Sequence, residues 1–204
     1  MKYQTYQEEF WAGTFGDDIQ RNQDKTITAT NISLFSRILA HTRNIRSVIE
    51  LGSNIGLNLV AISQILPDAE ISAIEINEKA ASILKERQFI TVYNQSIFEY
   101  TPDYQRDFVF TKGVLIHINP DLLPKTYDLI YQLSRKYICV AEYYNPVPQE
   151  IKYRETTETL FKRDFAGELL ERFSDVKLVD YGFVYNKDPN FPLDDISWFL
   201  LEKT

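Results

Sequence analysis

Short apolar runs alternate with segments of helical periodicity through the middle of the chain, and this alternation is the feature that most constrains the fold. The pattern is typical of a parallel β-sheet whose strands are connected by helices that cover its faces. Asn77 is expected to cap one of these helices, because its side chain can accept a hydrogen bond from a free helix amide. We predict strands at 46–51, 70–75, 89–93, 107–111 and 137–141, and helices at 57–66, 78–87, 121–134 and 162–173.

The end of the sequence breaks this alternation. Two further apolar runs, 176–185 and 196–201, are separated by a short connection that contains two prolines and no helical segment. Such a connection is too short for the right-handed crossover that joins parallel strands, so these two strands are expected to pair antiparallel. The predicted fold class is therefore α/β, with a seven-stranded, mostly parallel sheet, an antiparallel last strand and helices on both faces.

The length indicates one domain that spans residues 1–204. A chain of 204 residues is typical of a single domain, and 44% hydrophobic residues supply one sizeable core. We divide the domain into an N-terminal cap at 1–45, a central part at 46–142 and a C-terminal segment at 143–204. A helix at 27–41 is expected to pack the cap onto the rest of the domain.

Charge and cysteine content limit the classes of partner. Acidic side chains outnumber basic ones by 29 to 22, which gives a formal net charge of −7 and disfavours nucleic acid as a partner. Cys139 has no second cysteine to pair with, so a reduced cytoplasm is the simplest expected location. No apolar run reaches the ~20 residues that span a bilayer, and the first five residues are too polar for a signal peptide, so no membrane partner is expected.

The most informative segment is 48–57, in which a predicted strand enters a predicted helix through a turn with glycines four apart. Small residues and helix amides at the carboxyl end of the first strand form a ligand site in open α/β sheets. Glu75 ends the next strand, 19 residues after Gly56, close to the ~20-residue offset at which an acidic residue binds ribose hydroxyls. A structural turn and a helix-start carboxylate are the alternatives, but together the two features favour an adenosine site.

Two other nucleotide motifs are disfavoured. A dinucleotide fingerprint that starts at Gly52 requires glycines at positions 54 and 57, where this chain has Asn54 and Leu57. A phosphate-binding loop is absent as well, because no Gly-Lys-Ser or Gly-Lys-Thr follows the turn.

Residues 50–56, Glu-Leu-Gly-Ser-Asn-Ile-Gly, resemble the first motif of class I S-adenosylmethionine-dependent methyltransferases, an acidic residue followed by three alternating glycines. Asn54 replaces the middle glycine, and asparagine is among the few residues that tolerate a left-handed backbone. The resemblance implies a Rossmann-like methyltransferase fold, with S-adenosylmethionine as cofactor and S-adenosylhomocysteine as product. It also implies that the turn packs against the methionine part, that Glu50 orients the loop and the amino group, and that Glu75 holds the ribose.

The same resemblance extends to the next strands and makes 46–142 the cofactor-binding half. Ser96 and Ile97 stand at the family's adenine-binding position, where aspartate is common, and Thr111 and Lys112 should border the cofactor. The predicted cofactor-binding residues are Glu50, Gly52, Ser53, Asn54, Gly56, Glu75, Ile76, Ser96, Ile97, Thr111 and Lys112.

A closer resemblance emerges when motifs along most of the chain are read together. They are Phe-Trp-Ala-Gly-Thr-Phe-Gly at 10–16, Arg-Asn at 21–22, Thr-Lys-Gly-Val-Leu-Ile-His-Ile-Asn-Pro at 111–120, Glu-Tyr-Tyr-Asn-Pro at 142–146, Tyr-Arg at 153–154 and Leu-Phe-Lys-Arg-Asp-Phe at 160–165. This set looks like the pseudaminic acid biosynthesis-associated methylase family. The family name implies methyl transfer in a pathway for acidic nine-carbon surface sugars, without establishing the acceptor.

Methyl transfer from a sulfonium is an in-line displacement, so holding the acceptor and the methyl group aligned supplies much of the catalysis. A hydroxyl acceptor would gain from a general base, whereas a neutral amine needs mainly orientation. His117, which follows the fourth strand, is the leading candidate for the base, with Glu142 at the end of the fifth strand as the second. The alternatives are a loop-fixing histidine and a glutamate that anchors a lid.

The segment 143–164 is rich in Tyr, Pro, Lys and Arg and follows the fifth strand, where a substrate lid is expected. We predict an anionic acceptor there, since arginine offers paired donors to a carboxylate or a phosphate. A solvated helix start is the alternative for 162–164. The predicted substrate-binding residues are Tyr143, Tyr144, Arg154, Lys162 and Arg163.

Three N-terminal residues, Trp11, Phe15 and Arg21, are candidates to close over the cofactor, although packing of the cap onto the core is the favoured role for the two aromatic ones. No metal is expected, because His41, His117 and one cysteine form no zinc pattern. The predicted function is methyl transfer to an acidic sugar of the nonulosonic acid pathway or to its nucleotide-activated form. The alternatives are a methyltransferase for another metabolite or a macromolecule, and a non-catalytic cofactor-binding subunit of a glycan pathway.

Overall fold

A computed structural model describes residues 3–13, 15–17, 25–151 and 160–204 of the chain. Its centre is one seven-stranded sheet, with the strands β1 (Ser47–Leu51), β2 (Glu70–Ile74), β3 (Ile90–Tyr93), β4 (Arg106–Lys112), β5 (Ser134–Glu142), β6 (Val176–Val184) and β7 (Ile196–Lys203). The order of the strands across the sheet is β3-β2-β1-β4-β5-β7-β6.

Strand direction follows the predicted topology. Strand β1 pairs parallel with β2 and with β4, β2 pairs parallel with β3, and β4 pairs parallel with β5. Strand β7 pairs antiparallel with both β5 and β6, which places it between them. The seven-stranded, mostly parallel sheet with an antiparallel last strand is therefore confirmed.

The described ranges contain six α-helices, which are α1 (Tyr6–Ala12), α2 (Lys25–Leu39), α3 (Leu57–Ile65), α4 (Glu78–Glu86), α5 (Leu123–Leu133) and α6 (Phe165–Arg172). Asn77 caps α4 as predicted, because its side chain accepts a hydrogen bond from the amide of Ala80 (3.0 Å). A capping box formed by Thr5 and Glu8 begins α1, a helix that the sequence analysis did not predict.

Each face of the sheet packs against its own set of helices. Alternate residues of a strand point to opposite faces, so Val48 joins one apolar cluster and Ile49 the other. The first cluster contains residues from α2, α3 and α4, and the second contains residues from α5 and α6. Both faces are covered by helices, as the fold class requires.

The region after β5 differs from the prediction of a helix at 162–173. Phe161–Lys162 is instead extended and pairs antiparallel with Gln149–Glu150 in a small two-stranded ribbon. Helix α6 begins at Phe165, because the side chain of Asp164 accepts a hydrogen bond from the amide of Gly167 (2.8 Å) and caps the helix there. Across the described ranges, no helix combines the length and the apolar character needed to cross a membrane.

Candidate active site

A cavity of about 640 Å³ lies at the carboxyl ends of the central strands. This volume falls in the ~300–1,000 Å³ range of small-molecule sites, and the location is where ligands bind in open α/β sheets. Its walls come from the turn after β1, the segments after β2, β3, β4 and β5, the start of α3, the 186–196 connection and the helices α1 and α2.

The turn after β1 forms one wall through residues in the left-handed region. Gly52 has a φ of 72°, and a methyl group at its Cα would lie 2.7 Å from Cγ2 of Val114. Asn54 has a φ of 48°, so it takes the left-handed conformation that made it an acceptable replacement for glycine. Gly52, Ser53 and Asn54 all line the cavity.

Gly56 also belongs to this turn, but it does not line the cavity. It sits at the N-terminus of α3 with a φ of 79°, and a Cβ there would lie 2.4 Å from Cδ2 of Leu84. Its position indicates a packing role that the sequence analysis did not predict, because the absence of a side chain lets α3 approach α4 closely.

Glu75 follows β2 and faces the cavity with a carboxylate that is only 6% exposed. Its two oxygens accept backbone hydrogen bonds from Asn54 (2.6 Å) and from Asn77 (2.7 Å), which link the first turn to the start of α4. Burial raises the pKa of Glu75, and these amide donors oppose the rise. The neighbouring Ile76 lines the cavity as well.

Glu50 lies behind the turn and does not line the cavity. Its side chain is fully buried and accepts a hydrogen bond from Asn58 Nδ2 (2.6 Å), while its other oxygen, Oε2, has no hydrogen-bond partner among the described residues. Burial raises the pKa of Glu50 to about 8. Glu50 therefore fixes the start of α3, which agrees with the loop-orienting part of its predicted role.

The end of β4 contributes Lys112 but not Thr111. Lys112 lines the cavity, and burial lowers its pKa, which the nearby Glu50 and Asp194 carboxylates raise again. Thr111 is 1% exposed, and its hydroxyl faces the protein interior on the side of Glu142. The prediction that Thr111 borders the cofactor does not agree with this position.

The segment after β3 carries Ser96 and Ile97, and both line the cavity together with Phe98. Ser96 is 4% exposed, and its hydroxyl donates to Glu8 Oε1 and accepts from the amide of Phe98 (3.1 Å). Glu8 belongs to α1 and lines the cavity itself. Ser96 therefore connects the N-terminal helix to the sheet edge.

His117 lines the cavity at the end of a 3₁₀ turn, Leu115–His117, that follows β4. Its ring lies 4.6 Å, centroid to centroid, from the indole of Trp11, which also lines the cavity. Trp11 packs edge-on against Phe15 at 5.2 Å, and Phe15 is not part of the wall. Arg21, the third N-terminal candidate, lies outside the described residues.

Glu142 does not reach the cavity, contrary to the prediction that it is a second candidate for the base. Its carboxylate, 2% exposed, accepts backbone hydrogen bonds from Val114 (3.0 and 3.1 Å), Leu115 (3.1 Å) and Ile116 (3.5 Å). Burial raises the pKa of Glu142 to about 7 against the lowering effect of these amides. Glu142 therefore anchors the loop that carries His117.

The predicted substrate-binding residues that the structure describes lie close together, since Tyr144 forms a β-bridge with Arg163, but they do not share the cavity wall. Tyr143 lines the cavity, whereas Tyr144 packs against Phe199 with ring centroids 5.7 Å apart. Lys162 Nζ lies 5.2 Å from the centre of the Tyr143 ring, and Arg163 Nε pairs with Glu168 Oε1 at 2.7 Å. Arg154 lies outside the described residues. Lys162 and Arg163 are therefore engaged by neighbouring side chains and do not line the cavity.

Sequence reasoning missed several polar residues of the cavity wall, among them Glu8, Asn31, Asn58 and Asp194. Asn31 of α2 is 1% exposed, and neither amide atom of its side chain has a hydrogen-bond partner within the described ranges. Asn58 and Asp194 line the wall with it. Asn31 interrupts the apolar face of a predicted helix, which was a usable signal, whereas nothing local distinguishes Asp194.

A scan against protein-family models finds no match for the sequence, and a search of curated proteins finds no relative. Solved structures do match the fold. The 1,6-didemethyltoxoflavin-N1-methyltransferase of Burkholderia thailandensis, with bound 1,6-didemethyltoxoflavin and S-adenosylhomocysteine, is 15% identical with a TM-score of 0.69, over 93% of this chain and 82% of that one.

Two further structures match over most of their length. Magnesium protoporphyrin IX methyltransferase from Synechocystis PCC 6803, with bound S-adenosylhomocysteine, is 13% identical with a TM-score of 0.71, over 97% of this chain and 98% of that one. A glycopeptide N-methyltransferase complexed with S-adenosylmethionine is 11% identical with a TM-score of 0.65, over 87% of this chain and 94% of that one. Together with its strand order, these matches show that the chain has the Rossmann-like fold of class I S-adenosylmethionine-dependent methyltransferases.

Proposed function

We propose that this protein is an S-adenosylmethionine-dependent methyltransferase that acts on a small polar acceptor. The observation that supports this most strongly is that one cavity gathers the glycine turn after β1, the acidic residue after β2 and the apolar segment after β3. These are the features that an adenosine with an amino-acid tail requires: close backbone approach, a ribose acceptor and an apolar wall for the base.

The residues present fit this cofactor. Gly52, Ser53 and Asn54 line the cavity with the turn after β1, so a ligand can approach the backbone of that turn closely. The carboxylate of Glu75 can accept hydrogen bonds from the ribose hydroxyls in addition to those from the amides of Asn54 and Asn77. We assign Ile76 and Ile97 to the base, and Ser53 and Asn54 to the amino-acid end.

Bound S-adenosylmethionine supplies an electrophilic methyl group on sulfur. The part of the protein is then to bind the acceptor in line, exclude water and remove a proton. We assign the proton acceptor to His117, whose ring lines the cavity against Trp11. Glu142 acts as a positioning residue, because it fixes the backbone of the loop that ends in His117.

For the acceptor, the sequence motifs favour an acidic sugar of the nonulosonic acid class or its nucleotide-activated form. Lys112 is a cation in the described cavity wall that could meet its carboxylate. The solved methyltransferases described above are named for 1,6-didemethyltoxoflavin, magnesium protoporphyrin IX and a glycopeptide, so the shared fold does not select an acceptor. A methyltransferase for another metabolite and a non-catalytic cofactor-binding subunit are the competing proposals.

Calorimetric titration with S-adenosylhomocysteine, with NAD as a control ligand, tests the cofactor. We expect saturable binding that is weakened at least about tenfold by Glu75→Gln, which removes one of two acceptor oxygens. Glu78→Gln is the matched control, because Glu78 is an exposed acidic residue three positions away. Binding of NAD alone would overturn the proposal.

A second assay separates an enzyme from a binding subunit. Release of S-adenosylhomocysteine from S-adenosylmethionine is measured with acidic sugars, neutral sugars and other small acceptors. Turnover with any acceptor that depends on His117 supports the methyltransferase, and turnover only with acidic sugars supports the finer assignment. Cofactor binding without turnover across the panel would favour the non-catalytic subunit.

A further inference from the structure

Glu8 brings a buried carboxylate from the N-terminal helix to the sheet edge where β3 ends. It is 7% exposed and lines the cavity. Oε2 accepts from the backbone amides of Gln4 (2.8 Å) and Thr5 (3.1 Å), which completes the cap of α1. Oε1 accepts from the hydroxyl of Ser96, 88 residues away in sequence. The cap therefore uses one oxygen, and the other is directed at the segment after β3.

The partners of Ser96 determine which hydrogen-bonding groups this corner offers to a ligand. The Ser96 oxygen accepts from the amide of Phe98, and its proton is donated to Glu8. A hydroxyl has one proton and a carboxylate has none, so the remaining capacity of the Glu8–Ser96 pair is that of an acceptor. The pair therefore suits a ligand that presents an N–H donor and disfavours one that presents a carbonyl.

Apolar residues adjoin this acceptor corner in the cavity wall. Ile97 and Phe98 directly follow Ser96, and Ile76 directly follows Glu75. A flat ring placed between apolar walls with a polar acceptor at its edge is the environment that a purine base requires. Because Glu75 is assigned to the ribose, the base attached to that ribose can extend towards β3.

We infer that Glu8, held in position by Ser96, accepts a hydrogen bond from the exocyclic amine of the cofactor's adenine and so selects adenosine over inosine. This inference rests on the proposed function. Glu8 of α1 would then take the part of the aspartate that is common at the position of Ser96 and Ile97. The N-terminal helix would thus belong to the cofactor site. Asn77 supports the same docking, because its Nδ2 donates to the carbonyl of Trp11 (3.2 Å) and to Asp17 (3.0 Å).

The test compares S-adenosylhomocysteine with S-inosylhomocysteine, in which a carbonyl oxygen replaces the exocyclic amine, by calorimetric titration of the full chain. We expect the unmodified protein to bind the adenosine ligand about ten- to a hundredfold more tightly, the range for a hydrogen bond to a charged group. Glu8→Gln should reduce this preference to less than about threefold, since an amide can donate to the carbonyl. Glu9→Gln is the matched control, because Glu9 is exposed on the same helix.

The outcomes distinguish two roles of Glu8, which are recognition of the adenine amine and attachment of α1 to the sheet edge. Equal weakening of both ligands in Glu8→Gln would overturn the inference and leave Glu8 as an anchor of α1, and an unchanged preference would overturn it as well. Ser96→Ala is the second variant, in case Glu8→Gln does not fold, and it should also reduce the preference. Absence of binding of either ligand to the unmodified protein would overturn the proposed function itself, which is a distinct result.

Discussion

Replacing Gly52 with alanine tests whether the turn after β1 requires glycine for two separate reasons. The first reason is backbone conformation, because a left-handed φ costs a residue with a Cβ about 1–2 kcal/mol, and Gly52 has a φ of 72°. The second is space, because the new methyl group would lie 2.7 Å from Cγ2 and 3.1 Å from Cγ1 of Val114. A β-branched valine cannot rotate both methyl groups away, so the loop must move.

Overpacking of this kind typically costs about 1–3 kcal/mol. The sum for Gly52→Ala is therefore roughly 2–5 kcal/mol in the free energy of unfolding. Gly113→Ala is the matched control, because Gly113 has a φ of 68° and no described atom lies within 4 Å of the place that a new methyl group would take. It should lose only the conformational part, about 1–2 kcal/mol.

Urea denaturation of the two variants measures both costs, and a double-mutant cycle with Val114→Ala isolates the steric part. Truncation of Val114 removes the two methyl groups that the new Cβ meets. The double variant Gly52→Ala/Val114→Ala should therefore recover about 1–3 kcal/mol relative to the sum of the single changes. Equal costs at Gly52 and Gly113, or a cycle without coupling, would refute the steric argument.

Three further predictions concern the buried acids and the proposed base. Because the pKa of Glu50 is raised to about 8, its stabilising contribution is complete below about pH 4.5 and is lost as the pH rises through 8. The free energy of unfolding of the unmodified protein should therefore fall by roughly 3–5 kcal/mol between pH 5 and 9, and Glu50→Gln should lack this fall in urea denaturation. Glu142→Gln should destabilise the protein by about 1–3 kcal/mol in urea denaturation, because the buried amide of Ile116 loses its acceptor. If Glu142 were instead a catalytic base, the same change would lower turnover and leave stability unchanged. His117→Asn should lower kcat about 10²- to 10⁴-fold in the methyl-release assay and leave the affinity for S-adenosylhomocysteine within about threefold; an unchanged kcat would remove His117 as the base.

Most of the fold was predictable because it depends on local patterns. The seven strands and most helices follow from apolar periodicity, and Asn77 followed from its position before a helical segment. Helix α1 was missed although Thr5 and Glu8 have the spacing of a capping box, because α1 is short and its apolar face is weakly periodic. The start of α6 was placed too early, because Phe161–Lys162 pairs with Gln149–Glu150, a strand partner that no local pattern indicates.

The site was predictable where a residue's position at a strand end determines its surroundings. Gly52, Asn54 and Glu75 line the cavity for this reason. The sequence does not indicate whether a strand-end acid faces ligand or loop, and Glu142 faces the loop because three backbone amides there lack other acceptors. The local sequence pattern also could not show that Arg163, a predicted substrate-binding residue, forms an ion pair with Glu168.

The charges of the cavity wall bear on both proposed ligands. Among the described lining residues, Glu8, Glu75 and Asp194 are acidic, and Lys112 and His117 are the basic ones. Fixed carboxylates in a partly enclosed cavity favour a cation, so this wall suits a ligand with a sulfonium centre, and the attraction weakens once the methyl group has left and the sulfur is neutral. The same carboxylates repel an anionic acceptor. An acidic sugar therefore binds only if Lys112 pairs with the acceptor in place of Asp194. A neutral acceptor with hydroxyl or amide groups can instead form hydrogen bonds with Asn31 and Asn58 and is not repelled by the carboxylates.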